Sequence, residues 1–249
     1  MSEVFILCGR FTLRAPVIDL GQLFFENMER GSEFAVGPAR FNIAPTQNVL
    51  CVHHDSHRDH LKAANYRWGL IPSWAKDVAI GARMINARSE TLDSKPSFMH
   101  ALASRRCVIP MDGYYEWTNA GGGQSKQPYL IEPVDRQVKF MAGLWEENQQ
   151  LGGEEALRSC TIITTPANST TAHVHQRMPA FLSESDCPRW LNPQCKDVSK
   201  LKMLLRPAGQ YLLKLMAVSR HVNSPLNEGE KCVSPFDAAA GRQQVIQFD

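Results

Sequence analysis

Short apolar segments separated by turn-forming residues run through the middle of this 249-residue chain. Each segment has strand length, contains residues that favour strands, and is bounded by Gly, Pro, Asn or Asp. The segments that meet these criteria are 49–53, 63–68, 107–110, 129–131, 138–144 and 160–165. Connected strands of this kind pair in antiparallel sheets, so they predict a β-rich core.

Helical spacing of apolar residues occurs towards the two ends of the chain. It predicts a helix over 17–30, with Asp19 as its cap and Gly31 as its stop, and two more over 184–191 and 199–205. Residues 211–218 fit either a strand or a helix. Because we find no internal repeat and no clear linker, we expect a single α+β domain over residues 1–249, with 1–7 as an N-terminal extension and 233–249 as a C-terminal tail.

Composition excludes several classes of protein. Hydrophobic residues make up 43% of the chain, which is enough for a sizeable core, and a net charge of +2 does not by itself indicate a nucleic-acid-binding protein. No apolar run approaches the ~20 residues of a membrane helix, and residues 1–7 do not resemble a signal peptide, so we expect a cytoplasmic protein without a membrane partner. Seven cysteines without a C-x-x-C spacing favour reduced thiols over disulfides or structural zinc. We expect no metal and no cofactor.

The pentapeptide Cys8-Gly9-Arg10-Phe11-Thr12 lies close to the start of the chain. A cysteine that begins a chain offers a thiol and an α-amine on adjacent carbons, and the amine, with a pKa of ~8 against ~10.4 for lysine, is partly unprotonated near neutral pH. Such a 1,2-aminothiol captures aldehydes as an imine that closes to a thiazolidine ring. Taken alone, however, a cysteine is more often a small buried hydrophobic residue.

Five further clusters combine polar and aromatic side chains: FNIAP (41–45), RWGLIPSW (67–74), INARSET (85–91), GYYEW (113–117) and HQRMP (175–179). Each cluster also has an ordinary structural interpretation. The tryptophans fit a core or a lid, the amide and guanidinium groups fit turn caps and ion pairs, and the imidazole fits a satisfied core histidine. One cluster alone is therefore weak evidence of a functional site.

Together with CGRFT (8–12), these clusters resemble the SOS response-associated peptidase (SRAP) family in order and spacing, from Cys8 to about Asn227. Bacterial and eukaryotic members of that family cross-link to abasic sites in single-stranded DNA. The resemblance implies a compact β-rich domain with a barrel-like core, peripheral helices and a positively charged groove. It also implies a monomer that acts on abasic single-stranded DNA, with Cys8 as the nucleophile and Asn86, Glu116 and His175 as its catalytic companions.

The residue types agree with that chemistry. A carboxyl group among aromatic residues, such as Glu116, suits a general acid/base that opens the abasic sugar and shuttles the imine proton. His175 is expected to assist the ring oxygen or the sugar phosphate, and Asn86 to orient the sugar or the cysteine amine. The expected DNA-binding residues contact phosphates or stack on bases; they are Arg10, Asn42, Trp68, Trp74, Arg88, Arg177 and Arg220.

Seven residues precede Cys8 in this chain, whereas the family places the cysteine directly after the initiator methionine. With Leu7 attached, the Cys8 nitrogen is an amide, and only a reversible thiohemiacetal could form. Three explanations of the residues before Cys8 stand open. Either the translation start is assigned upstream of the true one, or the residues form a leader that Cys8 removes by attacking the Leu7–Cys8 peptide bond, or the protein has lost cross-linking activity.

Alternative functions remain at this stage. Cys8 with His175 could act as a thiol peptidase, and the arginines and tryptophans could form a non-covalent single-stranded DNA-binding module. The histidine-rich stretch with His53, His54, His57 and His60 could bind a metal, although a solvated hairpin tip explains it better.

Overall fold

The computed structural model describes residues 9–15, 38–55, 59–118 and 126–237. Cys8, the helix predicted over 17–30 and His57 lie outside these ranges. The described residues form a mixed α+β fold of mostly strands, arranged in two sheets with few helices. The predicted fold class is therefore confirmed.

The first sheet is antiparallel throughout and has the order β13-β8-β7-β1-β2. Its strands are β1 (Arg10–Leu13), β2 (Arg40–Ile43), β7 (Gly113–Thr118), β8 (Gln127–Pro133) and β13 (Leu213–Ala217). The segment 211–218, which fitted either a strand or a helix, is thus a strand. Strand β7 lies at the centre of this sheet, because one of its edges pairs with β1 and the other with β8.

The second sheet closes into a ring. Its strands are β3 (Asn48–Asp55), β4 (His60–Trp68), β5 (Asn86–Arg88), β6 (Arg106–Met111), β9 (Lys139–Asn148), β10 (Leu157–Pro166), β11 (Arg177–Pro179) and β12 (Phe181–Leu182). The path β10-β4-β3-β6-β9 returns to β10, because β10 pairs with β4 on one side and with β9 on the other. A sheet closed in this way has no open edge along the ring, which is the arrangement of a barrel.

Short helices cover the outside of this ring. They are α1 (Pro96–Ser104), α2 (Asp186–Leu191) and α3 (Val198–Lys202), and they bury Phe98, Trp190 and Leu201 against strand residues such as Val108 and Ile163. Helices α2 and α3 match the predicted segments to within a few residues. Helix α1 was not predicted from the sequence.

A second core lies between the two sheets. Phe11, Tyr114 and Ile131 of the first sheet pack there with Trp68 and Ile162 of the second. The Phe11 and Trp68 rings meet edge to face with centroids 5.2 Å apart, and the Trp68 indole donates to the carbonyl of Ile85. This core fixes how the first sheet sits on the barrel.

Three cysteines, Cys51, Cys107 and Cys160, belong to the same core and are fully buried. Burial raises the pKa of the Cys51 and Cys107 thiols. They therefore remain protonated near neutral pH and do not act as thiolate nucleophiles. All cysteines in the described ranges are free thiols.

The histidine-rich stretch lies on a hairpin. Strands β3 and β4 are antiparallel and pair from Asn48, opposite Arg67, to Asp55, opposite His60. The prediction of a solvated tip is wrong for His53, which is buried: its Nδ1–H donates to the carbonyl of His54, and its Nε2 accepts from the Tyr66 hydroxyl at 2.6 Å. Both ring nitrogens are thus used within the fold. In the part of the chain that the structure describes, no three His, Cys, Asp or Glu side chains converge as metal ligands would.

Part of the segment that we assigned to the C-terminal tail is paired with the chain after β13. Ser219 N–H donates to the Ser234 carbonyl, and Phe236 N–H donates to the Ala217 carbonyl. Across the described ranges, the structure contains no helix that is both long and apolar enough to span a bilayer.

Protonation of His53 should make folding stability depend on pH. Burial lowers its pKa from 6.5 to about 4, so the unfolded chain takes up this proton first as the pH falls. Stability should therefore be lost between pH 6.5 and pH 4, by about 3 kcal/mol for this group. Urea unfolding across this range measures the loss. The variant His53→Gln should flatten it, while His100→Gln at an exposed position should behave as wild type; an equal slope in His53→Gln would contradict the assignment.

Candidate functional site

Four of the residues predicted from the sequence come together at one end of β10. On one side of that strand, Asn86 pairs with Ile162 and Arg88 with Thr164. On the other side, Arg177 pairs with Pro166. The end of β10 is therefore flanked by β5, which carries Asn86 and Arg88, and by β11, which begins at Arg177 just after His175.

Local alternation explains how β5 presents its side chains. Ala87 is fully buried, whereas Asn86 is half-buried and Arg88 is exposed. Strand β5 ends at once in a single 3₁₀ turn, Ser89–Thr91, which turns the chain away from the sheet. The amide and the guanidinium are thus held on a short strand at the edge of the barrel.

The segment before β11 is held by the side chain of Asn168. Its amide oxygen accepts from Thr171 N–H at 2.9 Å, and its amide nitrogen donates to the Ala208 carbonyl at 3.0 Å. The backbone N–H of His175 then donates to the Thr171 carbonyl. These bonds hold the backbone of the segment from Asn168 to His175, which leads into β11 beside the end of β10.

The protonation state of His175 follows from one hydrogen bond. The backbone N–H of Arg177 donates to His175 Nδ1 at 3.0 Å. Because a backbone amide can only donate, Nδ1 carries a lone pair and the ring proton is on Nε2. Partial burial, together with the positive charge of Arg177, lowers the pKa of His175 below its usual 6.5. At neutral pH the ring is an uncharged imidazole that donates from Nε2.

The side chain of Arg177 is held in place by an acid. Its two terminal nitrogens contact the two carboxylate oxygens of Glu90 at 2.5 and 2.9 Å, and Nη2 also donates to the Thr164 carbonyl at 2.7 Å. Glu90 lies in the turn that follows Arg88. The turn after β5 and the start of β11 are thereby joined across the end of β10.

Glu116 lies on β7 of the other sheet and is almost completely buried, with 3% of its surface exposed. Alternate residues of a strand point to opposite faces, so Glu116 shares a face with Tyr114. Tyr114 belongs to the core between the sheets, together with Ile85 and Met178, the neighbours of Asn86 and Arg177 in the chain. The strand that carries Glu116 thus packs on the strands that carry the other candidate residues.

Arg10 and Asn42 lie on the opposite face of that sheet. Arg10 pairs with Tyr115, the neighbour of Glu116, and its guanidinium donates to Asn42 Oδ1 and to the Val222 carbonyl, both at 2.8 Å. Asn42 is fully buried, and its amide nitrogen also donates to backbone carbonyls of the 220–227 segment. We withdraw Asn42 from the DNA-binding set, because its buried amide holds that segment against the sheet. Arg10 is half-buried, and its DNA-binding role stays a prediction.

The two tryptophans of RWGLIPSW have different environments. Trp68 has no exposed surface, so it cannot stack on a base, and we withdraw it from the DNA-binding set. Trp74 is 57% exposed on the loop that follows β4. Asn148 anchors this loop by donating to the carbonyls of Pro72 and Ala75 at 2.8 and 2.9 Å.

Trp74 does not join the cluster at the end of β10. Its anchor Asn148 pairs with Leu157 at the beginning of that strand, while Arg88 pairs with Thr164 near the end. The strand between these two positions spans roughly 23 Å. The exposed indole and the guanidinium groups therefore mark two separate places along one surface.

Arg220 begins the 3₁₀ helix Arg220–Asn223, which Arg10 and Asn42 hold. Its side chain is exposed, and its guanidinium lies 5.5 Å from the ring centroid of Phe236. It is accessible to a ligand but belongs to the first sheet rather than to the end of β10.

Comparison with known proteins identifies the family. The model of the SOS response associated peptidase (SRAP) family matches residues 7–225. The chain belongs to the SRAP family. The match begins at Leu7, immediately before Cys8, and it includes the site residues described above.

Two bacterial relatives of this SRAP chain are similar to it over nearly their whole length. Abasic site processing protein YoqW of Bacillus subtilis (strain 168) is 39% identical over 91% of this chain and 99% of its own. Abasic site processing protein YedK of Escherichia coli (strain K12) is 30% identical over 92% and 100%. A crystal structure of a protein from Bacteroides thetaiotaomicron superimposes with a TM-score of 0.77 at 25% identity, covering 92% of this chain and all of that one.

The sequence did not identify two residues of the cluster at the end of β10, or the residue that anchors the Trp74 loop. Glu90 stands in the INARSET cluster, but its partner Arg177 is 87 residues away, and no local pattern joins them. Thr164 contributes a backbone carbonyl, which carries no sequence signal. Asn148 lies beyond the predicted strand 138–144 and has the residue type of an ordinary turn residue. Only Glu90, an acid two residues after an arginine, offered a clue.

Removal of the Asn148 side chain should release the Trp74 loop. Asn148 is fully buried, and its Oδ1 also accepts from Gln150 and Leu151. Asn148→Ala would leave buried carbonyls without donors, and we expect a loss of about 2–4 kcal/mol in unfolding free energy. Urea unfolding followed by tryptophan fluorescence measures this loss. Gln149→Ala, at the exposed neighbouring position, is the control, and equal stabilities of the two variants would refute the anchoring role.

Proposed function

We propose that this protein processes abasic sites in single-stranded DNA by forming a covalent cross-link through Cys8. The observation that carries the proposal is the full-length similarity to curated abasic site processing proteins. The amide, guanidinium and neutral imidazole groups at the end of β10 support it, because they suit a sugar phosphate with a reactive carbonyl.

The reaction that we propose consumes the open-chain aldehyde of an abasic deoxyribose. The α-amine of Cys8 adds to the carbonyl carbon and gives a carbinolamine, which loses one water to become an imine. The Cys8 sulfur then adds to the same carbon, and the thiol proton passes to the imine nitrogen. The product is a thiazolidine, formed from amine, thiol and aldehyde with the release of one water.

Three side chains are assigned to the proton transfers and to orientation. Glu116 is the acid/base that helps open the sugar ring and carries the proton during imine formation; its nearly complete burial supports this role. The Nε2–H of His175 is a donor for the sugar ring oxygen or the adjacent phosphate. Asn86, half-buried on β5, orients the sugar or the Cys8 amine.

DNA binding is assigned to Arg88, Arg177, Trp74 and Arg220. Arg88 is exposed next to Asn86, so it can contact a phosphate beside the lesion. Trp74, at the other end of β10, suits stacking on a base several nucleotides away. Sequence-tolerant contacts of these kinds fit a protein that recognises a damaged sugar rather than a base.

The proposal requires Cys8 to be the first residue of the active protein, because only then is its amine free. The beginning of the family match at Leu7 supports this requirement. Either initiation at position 7 followed by removal of that residue or self-cleavage of the Leu7–Cys8 bond would give such an end. The intact mass of the protein purified from its natural source tests it, since a mass that includes residues 1–7 in an active sample would contradict the mechanism.

Protein that begins at Cys8 should form an adduct with single-stranded DNA containing one abasic site, and this adduct should survive denaturant and high salt. Cys8→Ala should abolish the adduct, because amine and sulfur must act on one carbon. Glu116→Gln should slow its formation by about 100-fold or more. Denaturing gels measure the adduct. Cys195→Ala, at another partly buried cysteine, should match wild type; an undiminished adduct from Cys8→Ala would rule out the mechanism.

The contribution of His175 should persist into mildly acidic solution. Burial and the charge of Arg177 lower its pKa from the usual 6.5, so the imidazole becomes protonated at a lower pH than an ordinary histidine. The ratio of the wild-type rate to the His175→Gln rate should therefore decrease with a midpoint below pH 6.5. Cross-linking rates at a series of pH values give this ratio. His173→Gln, at an exposed neighbouring position, is the control, and a midpoint at or above pH 6.5 would contradict the neutral imidazole.

A further inference from the structure

The guanidinium of Arg177 is bound by the carboxylate of Glu90 in a two-point contact. The side chain of Arg177 is only 13% exposed, whereas that of Glu90 is 47% exposed. The hydrogen bond from Arg177 lowers the pKa of Glu90, so the carboxylate is ionised at neutral pH. The pair is therefore a true ion pair with one fixed member and one accessible member.

A carboxylate and a phosphate use the same edge of a guanidinium. Two parallel N–H groups match two oxygens of either anion, so one edge cannot pair with both at once. Arg88, the neighbouring cation at this site, is in a different state: within the described ranges, no carboxylate forms an ion pair with it. Of the two arginines at the end of β10, Arg88 is open to a phosphate and Arg177 is occupied.

We propose that Glu90 is a specificity-determining residue, whose carboxylate competes with a DNA backbone phosphate for Arg177. This inference rests on the DNA binding proposed above. Binding of a strand then requires an exchange, in which a phosphate replaces Glu90 on the guanidinium. The exchange weakens the binding of undamaged strands, while a damaged strand is retained by its covalent bond, which is insensitive to this competition.

The local structure allows the exchange without unfolding. Lys202 holds the Ser89–Thr91 turn without using the Glu90 side chain. Its Nζ donates to the backbone carbonyl of Glu90 at 3.2 Å and forms an ion pair with Asp93, which follows the turn, at 2.9 Å. The guanidinium of Arg177 keeps its bond to the Thr164 carbonyl. Only the half-exposed side chain of Glu90 has to rotate into solvent.

The test is equilibrium binding of the full chain to fluorescein-labelled oligodeoxythymidine, measured by anisotropy at fixed salt. Glu90→Gln should bind about three- to five-fold more tightly than wild type. Asp93→Asn removes the same charge from the same region but contacts Lys202, so its effect measures general electrostatics and should be smaller.

In an Arg177→Ala background, Glu90→Gln should give no more than the Asp93→Asn effect. Glu90→Asp, which keeps the charge but shortens the reach, should also bind more tightly than wild type.

Binding of Glu90→Gln that equals or falls below that of Asp93→Asn would overturn the exchange, and so would a gain that survives the loss of Arg177. A parallel adduct assay on abasic DNA separates this inference from the covalent mechanism. Tighter binding of Glu90→Gln without any adduct would leave the exchange standing and remove the cross-link. Adduct formation without tighter binding would do the reverse. No binding of oligodeoxythymidine by wild type or by Glu90→Gln would overturn the exchange, while the adduct assay still decides the covalent mechanism.

Discussion

The double pairing of β10 is the constraint on which the rest of the structure depends. Along its first part, this strand pairs with β4 and β9 and closes the barrel. Along its last part, the same two edges pair with the short strands β5 and β11. The change of partner at about Ile162 places β5, with Asn86, and β11, with Arg177, on opposite edges of the same strand, although the two residues are far apart in the chain. A site built on backbone ladders in this way is rigid before any ligand arrives.

The second constraint is the alternation of side chains along β7. Glu116 and Tyr114 face the core between the sheets, and Tyr115 and Trp117 face the other side. Arg10 stands opposite Tyr115, so its guanidinium reaches the 220–227 segment rather than the barrel. A shift of one residue in the β1–β7 register would exchange these faces and move Glu116 out of the core. The network of Arg10 and Asn42 therefore acts on the site indirectly, by holding the register and the segment packed on it.

Sequence reasoning predicted the strands of the barrel because their apolar runs and their bounding turn residues are local signals. It also identified Asn86, Glu116 and His175 through the family resemblance, and these assignments remain proposals. It was wrong about the surroundings of Trp68, Asn42 and His53, because burial depends on which strand lies opposite, and one sequence does not encode that locally. The pairing of Glu90 with Arg177 was out of reach for the same reason. Helix α1 was missed since it is only nine residues long and Pro96 begins it without a side-chain cap.

The charges at the end of β10 are arranged so that the site is neither strongly basic nor fixed in one state. Arg177 is compensated by Glu90, and His175 carries no charge at neutral pH because burial and the nearby guanidinium oppose its protonation. Arg88 is then the cation that an incoming phosphate meets first. The neutral His175 ring also provides a hydrogen-bond donor without adding a positive charge, which would attract any DNA strand regardless of damage. Under the proposed covalent mechanism, weak initial binding is an advantage, since the bond to the lesion rather than the electrostatic attraction determines which strands are kept.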